Sequence, residues 1–241
     1  YGADRVSLHQ FTRRNAVTAT LAGFVEWMAR PEGSALAQHG AEPFPSSSLY
    51  LAWDGSMLRR HPELLADFDF DGLFPGGLRR IQLGFWMGPA GAHTPLHYDI
   101  DAPNLHAAIS GRKRFVLFAP EESAHLSPAD VYEWTTVFSE IDLRAPDVQR
   151  HPGLARANGY EAVLAPGDVL FIPVRWWHAA WCLESCISLN GWRFGPRLAL
   201  SPNLWNAAAA ALLHRAGVYA RDRCTCCGHG DLRRHLGWIA D

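Results

Sequence analysis

Ala165-Pro166-Gly167-Asp168 runs directly into Val169-Leu170-Phe171-Ile172-Pro173, and Val174-Arg175-Trp176-Trp177-His178 follows. Pro-Gly-Asp is turn chemistry, and the short apolar run after it is too brief for a helix and long enough for a strand. A histidine then closes the next rise behind two tryptophans. The same rhythm extends on both sides. Arg80 to Met87, Leu105 to Ser110, Arg112 to Phe118, Ala162 to Leu164, His178 to Cys182 and Cys186 to Trp192 all read as strands between Gly, Pro, Asp and Asn. Many short strands with regular turn signals predict a mainly β sandwich or barrel.

The remainder reads differently. Val6 to Leu8 is a candidate short strand. Thr12 to Arg30 carries Val17, Leu21, Phe24, Val25 and Met28 at helical spacing and is expected to be a helix. Residues 31–48 are a Pro-, Gly- and Ser-rich loop, Ser48 to Trp53 a buried strand, and His61 to Phe68 a short helix. Residues 119–160 form an irregular insertion with a helix expected at Pro128 to Tyr132. Ser201-Pro202 supplies an N-cap and a first helical proline for a helix through Leu204, Ala208, Leu212 and Leu213, and Asp231 to Ile239 is expected to form another. Residues 1–198 read as one domain and 199–241 as a helical extension.

The chain has 241 residues, 48% of them hydrophobic, enough for a core that needs neither disulfides nor metal. A net charge of −2 without a basic stripe gives no expectation of nucleic-acid binding. No stretch approaches the roughly 20 apolar residues that span a bilayer. The first residues show neither a methionine nor a signal-peptide core, which reads as a chain cut upstream. Five cysteines, odd in number and clustered late, suit a reducing, intracellular compartment better than a disulfide framework. Cys224, Cys226, Cys227 and His229, with His235 beyond, are zinc-ligand types, but their crowding suits reduced surface thiols better than two separated ligand pairs.

Thr94-Pro95-Leu96-His97-Tyr98-Asp99 carries the chemistry. On an extended chain residues i and i+2 share a face, so His97 and Asp99 can reach one metal together. Two histidines and a carboxylate occupy one face of an octahedron around Fe(II) and leave three positions open. Alone, H-x-D is more often a solvated turn. His178, at a strand end behind Trp176-Trp177, can complete the set from a neighbouring antiparallel strand. In Arg112-Lys113-Arg114-Phe115-Val116-Leu117-Phe118, Lys113 shares a face with Phe115 and Leu117. A buried ammonium needs an anion, and the distal carboxylate of a 2-oxo dicarboxylic acid would serve.

These motifs together resemble the JmjC-type cupin oxygenases, and among them the small hydroxylases related to the asparaginyl hydroxylase of hypoxia-inducible factor. The resemblance covers roughly residues 45–195. It rests on T-P-x-H-Y-D, the following N-L, G-x-K-R ahead of an apolar strand, and P-G-D-V-L-x-I-P-x-x-W-W-H. It implies a double-stranded β-helix (jelly-roll) core with C-terminal helices. It implies His97, Asp99 and His178 as Fe(II) ligands, and Lys113, Thr94 and Tyr50 as contacts to 2-oxoglutarate. Asn104 and Asn190 match amides near the co-substrate and the iron. The loop Ile100-Asp101-Ala102-Pro103 is one residue longer than in that hydroxylase.

The implied activity is O2- and 2-oxoglutarate-dependent hydroxylation of a protein or peptide side chain, with release of succinate and CO2. N-methyl-lysine demethylation, oxidation of RNA or a small molecule, and a non-catalytic cupin are the alternatives. Acidic residues of the insertion, Glu121, Glu122, Asp130, Glu133, Glu140, Asp142 and Asp147, can attract a basic peptide or simply form a solvated loop. The apolar stripe of the 201–241 region is expected to make a homodimer.

Overall fold

The structure, a computed structural model, describes residues 2–10, 15–30, 49–52, 54–67, 81–99, 102–134, 136–193, 200–220 and 224. The expected loop over 31–48, the helix over 231–239, and Cys226, Cys227, His229 and His235 lie outside them. Cys224 is half-buried and bridges to Tyr132.

Eight strands make the core: β4 (Ile81–Gly88), β5 (His93–Asp99), β6 (Asn104–Ser110), β7 (Lys113–Phe118), β9 (Gly159–Leu164), β10 (Val169–Ile172), β11 (Trp177–Cys182) and β12 (Cys186–Arg193). Along one sheet they run β10-β6-β12-β4, continued by β3 (Tyr50–Leu51), β1 (Arg5–Gln10) and β2 (Asn15–Thr20). Along the other the order is β8-β5-β11-β7-β9, with β8 spanning Thr136–Phe138. The chain crosses between sheets at nearly every turn from β4 to β12, and these strands pair antiparallel. This is the jelly-roll core expected from the motifs.

Directly opposed residues of an antiparallel pair share a face, so the register states what looks inward. On β7, Lys113, Phe115 and Leu117 are buried, and they oppose Cys182, Ala180 and His178 of β11. His178 in turn opposes His97 of β5, but Ala180 opposes Thr94. Strand β5 therefore advances three residues while β11 advances two. This bulge turns Thr94 onto the His97 face although their spacing is odd. Across the sandwich, Asn104, His106 and Ala108 of β6 oppose Trp192, Asn190 and Ser188 of β12. Trp86 of β4 opposes Ser188. The two inner faces thus confront polar side chains with polar side chains, within walls of Phe115, Leu117, Trp86 and Ile172.

Several features of the sequence reading are corrected. The expected helix over 12–30 is a strand, β2, followed by α1 (Leu21–Ala29). Val17, Thr18 and Thr20 are β-branched and pair along β1, and the Thr20 side chain caps α1 by accepting from the Gly23 N–H at 3.1 Å. The helix expected at 128–132 is absent. Pro128 bridges to Ser139 instead, and a short 3-10 helix lies upstream at Pro120–His125. Earlier in the chain, α2 (Gly55–Arg60) precedes a 3-10 turn, Pro62–Asp67, where a helix over 61–68 was expected, and β3 is the strand described within 48–53. The C-terminal helix α3 (Pro202–Arg215) forms as read. No helix among the described residues is long and apolar enough to cross a membrane.

Candidate metal and anion site

His97, Asp99 and His178 bring one ligand atom each to within 4.8 Å of one another. The strand pairing causes this. His97 and His178 stand opposite, with ring centroids 4.2 Å apart, and Asp99 follows two residues on. His97 Nδ1 lies 2.8 Å from the Pro95 carbonyl and His178 Nδ1 lies 3.0 Å from the Trp176 carbonyl. A carbonyl only accepts, so both Nδ1 atoms donate and both Nε2 atoms are left facing away from these bonds. The Trp192 indole N–H donates to Asp99 Oδ2 at 2.7 Å, which fixes one carboxylate oxygen and leaves the other to face the histidines. Burial, ahead of repulsion from His97, holds His178 below its ordinary value, so it is a neutral ligand-type imidazole at pH 7. Two imidazoles and a carboxylate, each oriented by a second hydrogen bond, fit a divalent cation with open positions.

Deeper between the sheets lies Lys113, 1% exposed. Its ammonium donates to Tyr50 Oη at 2.7 Å, His106 Nε2 at 3.0 Å and Ser188 Oγ at 3.2 Å. The rings of Tyr50, Trp86 and Phe115 stand 5.2–5.5 Å from it. No carboxylate among the described residues pairs with it, and burial pushes its pKa down to about 8. Tyr50 owes its place to Gly88, where a Cβ would meet the Tyr50 ring at 2.6 Å.

A buried amide relay runs across the neighbouring strands β4, β12 and β6. Trp86 Nε1–H donates to Asn190 Oδ1 at 2.6 Å, and Asn190 Nδ2–H donates to Asn104 Oδ1 at 2.9 Å. Asn104 is 5% exposed. Thr94, also 5% exposed, faces the same interior through the bulge.

All eight residues singled out in the sequence thus line one interior. Four were missed as site residues. Trp86 and Trp192 fall within the strands read over 80–87 and 186–192, and His106 and Ser188 sit in apolar strand runs. Period-two alternation from Asn104 and Asn190 would have placed His106 and Ser188 on the same inner face.

A family model described as the cupin-like domain matches residues 5–193. The chain belongs to the cupin-like domain family. The JmjC-type oxygenase resemblance read from its motifs stands with that match. Among curated relatives of this cupin-like chain, HSPB1-associated protein 1 of Bos taurus is 32% identical over 185 residues, 75% of this chain and 38% of that protein. Lysine-specific demethylase 8 of Xenopus tropicalis is 35% identical over 146 residues, 59% of this chain and 32% of that protein. tRNA wybutosine-synthesizing protein 5 of Danio rerio is 34% identical over 139 residues, 57% of this chain and 40% of that protein. The cupin-like chain thus spans well under half the length of these relatives. The X-ray structure of E. coli ycfD overlaps 88% of this chain and 46% of that one, at 16% identity and a TM-score of 0.44.

Proposed function

We propose that this cupin-like chain is an Fe(II)- and 2-oxoglutarate-dependent oxygenase that hydroxylates a protein or peptide side chain. The observation that carries the reading is the pairing of two features in one interior. An oriented His97/Asp99/His178 set stands on the same sheet face as a buried ammonium, Lys113, with which no carboxylate among the described residues pairs. A metal-binding cupin has no use for the second feature; a co-substrate with a 2-oxo acid at one end and a carboxylate at the other uses both.

In this reading His97 Nε2, His178 Nε2 and one oxygen of Asp99 hold the metal. When bound, Fe(II) with 2-oxoglutarate and O2 supplies the oxidising chemistry, giving succinate and CO2 and leaving one oxygen atom on the substrate. The chain positions and shields. Pro95 and Trp176 carbonyls keep both imidazoles in one tautomer, and Trp192 holds the Asp99 carboxylate. Lys113 and Tyr50 anchor the distal carboxylate, and Thr94 adds a hydroxyl on the same face. Asn104 and Asn190, locked together, line the passage between the two ends. Phe115, Leu117 and Trp86 exclude water from it.

The acidic insertion offers less to a basic peptide than its composition implied. Asp142 pairs with Arg144, Glu140 with Arg150, and Asp147 accepts from the backbone N–H groups of Gln149 and Arg150. Exposed Trp205, Leu212 and Val218 support the homodimer expected through 201–241, which light scattering of the purified chain tests directly.

N-methyl-lysine demethylation is the second reading, favoured by the relative named lysine-specific demethylase 8. The test is incubation with Fe(II), ascorbate, 2-oxoglutarate and a peptide library, followed by mass spectrometry. A stable gain of one oxygen atom with succinate supports hydroxylation, formaldehyde release supports demethylation, and no succinate above a His97→Ala control refutes both.

A further inference from the structure

Cys182 ends β11 and Cys186 begins β12, with only Leu183, Glu184 and Ser185 between them. Both are free thiols, 2% and 3% exposed, and both belong to one buried cluster with Tyr50, Trp86 and Ala92. The turn joins the two sheets: Cys182 opposes Lys113 in one and Cys186 opposes Gly88 in the other. The two thiols are hydrogen-bonding neighbours, and the Cys182 sulfur also meets the Tyr50 hydroxyl. That hydroxyl accepts from Lys113 Nζ at 2.7 Å. The Cys186 thiol is directed at the carbonyls of Arg112 at 3.0 Å and Glu184 at 3.1 Å. The three turn residues are exposed, which puts the pair just beneath the surface.

A lone buried cysteine is a small apolar side chain, but two in contact beside a cation can give up two electrons together. The partner thiol, then the Glu184 backbone and the Lys113 ammonium, draw Cys186 below its ordinary value; the same contact, with burial, holds Cys182 above it. The two sulfurs therefore differ in role, Cys186 attacking and Cys182 resolving.

We propose that Cys182 and Cys186 are a redox modification site, an oxidisable dithiol that a hydroperoxide converts to a disulfide. The Cys186 thiolate attacks one oxygen of hydrogen peroxide. An S–O bond forms, the O–O bond breaks, and the leaving hydroxide takes up a proton to become water. The Cys182 sulfur then attacks Cys186: the S–S bond forms, the S–O bond breaks, and the Cys182 proton leaves with the hydroxide as a second water. Two thiols are oxidised by two electrons and one peroxide is reduced to two waters. The bond draws the Cys182 sulfur away from Tyr50 and disturbs the Tyr50–Lys113 contact. Oxidation therefore weakens 2-oxoglutarate binding, a consequence that rests on the co-substrate reading above; the disulfide itself does not.

The test treats the reduced, metal-free full chain with hydrogen peroxide and then removes the peroxide with catalase. One part is digested with trypsin without reductant. Cleavage after Arg175 and Arg193 releases both cysteines in one peptide, 176–193. That peptide is expected to be lighter by two hydrogen atoms and to stay joined after a further cut behind Glu184. The other part is loaded with Mn(II) and titrated with 2-oxoglutarate by calorimetry. Oxidation is expected to weaken binding about three- to ten-fold, the scale of one hydrogen bond, and dithiothreitol to restore it. Cys186→Ser, or Cys186→Ala if the first does not fold, is expected to bind like the reduced chain and to lose the response to peroxide, whereas Cys224→Ser keeps it. A 176–193 peptide that stays reduced, or that pairs with Cys224, Cys226 or Cys227, overturns the dithiol. A disulfide with unchanged affinity overturns its coupling to Lys113. A reduced chain that binds no 2-oxoglutarate removes the co-substrate reading and that coupling together, and the peptide mass alone then decides the disulfide.

Discussion

Trp192 of β12 and Asp99 of β5 belong to opposite sheets, yet the indole N–H and the carboxylate Oδ2 meet at 2.7 Å. That bond ties the two walls of the sandwich together at the metal end. It also leaves Asp99 one oxygen for a cation rather than two. Trp192→Phe keeps the ring and removes the donor. Its expected effect is about ten-fold weaker Mn(II) or Fe(II) binding with unchanged circular dichroism. Equal metal affinity in the two proteins would show that Asp99 needs no such support.

Lys113 makes co-substrate binding depend on pH in a stated direction. Its pKa in the folded chain is about 8, below the ordinary 10.5. Across that window the unfolded chain binds the extra proton, so the stability of the ligand-free protein rises with pH there. Ligand binding follows the opposite trend, because a carboxylate needs the ammonium. Affinity for 2-oxoglutarate is expected to be flat below pH 8 and to fall by roughly ten-fold per pH unit above it. Calorimetry at pH 7 and pH 9 checks this; a flat response to pH 9 would remove Lys113 as the anchor.

Gly88 leaves the space that the Tyr50 ring occupies. A Cβ there would sit 2.6 Å from that ring and 2.7 Å from Ala92 Cβ. Gly88→Ala must displace one of them, at a cost of about 1–3 kcal/mol in a packed core. Denaturant titration should show that loss, and 2-oxoglutarate binding should weaken as Tyr50 moves off Lys113.

Gly111 turns the chain between β6 and β7 with φ +72°, and a Cβ would meet the Ser185 carbonyl at 2.2 Å. Gly111→Ala combines backbone strain with a backbone clash and is expected to cost more than about 1 kcal/mol. A thermal midpoint equal to that of the wild-type chain would contradict the turn as described.

The core strands were legible because each is a short apolar run between turn residues, and period two put Lys113 with Phe115 and Leu117. The metal set was legible because His97 and Asp99 are two apart and His178 ends a strand. What escaped depended on contacts far apart in sequence. β2 imitates a helix because Val17 and Leu21 happen to continue the stripe of α1, and only pairing with β1 reveals the strand. Thr94 was singled out by resemblance, and its orientation comes from a bulge against β11. His106 and Ser188 are unremarkable residues in their strands; their meaning lies in a shared neighbour, Lys113, 7 and 75 positions away.

The most direct test of the central claim is an anaerobic titration of Fe(II) and 2-oxoglutarate into the purified chain, read as bound iron and bound co-substrate per protein. One iron per chain, with 2-oxoglutarate bound only when the metal is present and both lost in His178→Ala, is the result predicted. Iron that binds equally well to His178→Ala, or 2-oxoglutarate that binds without regard to the metal, would contradict it.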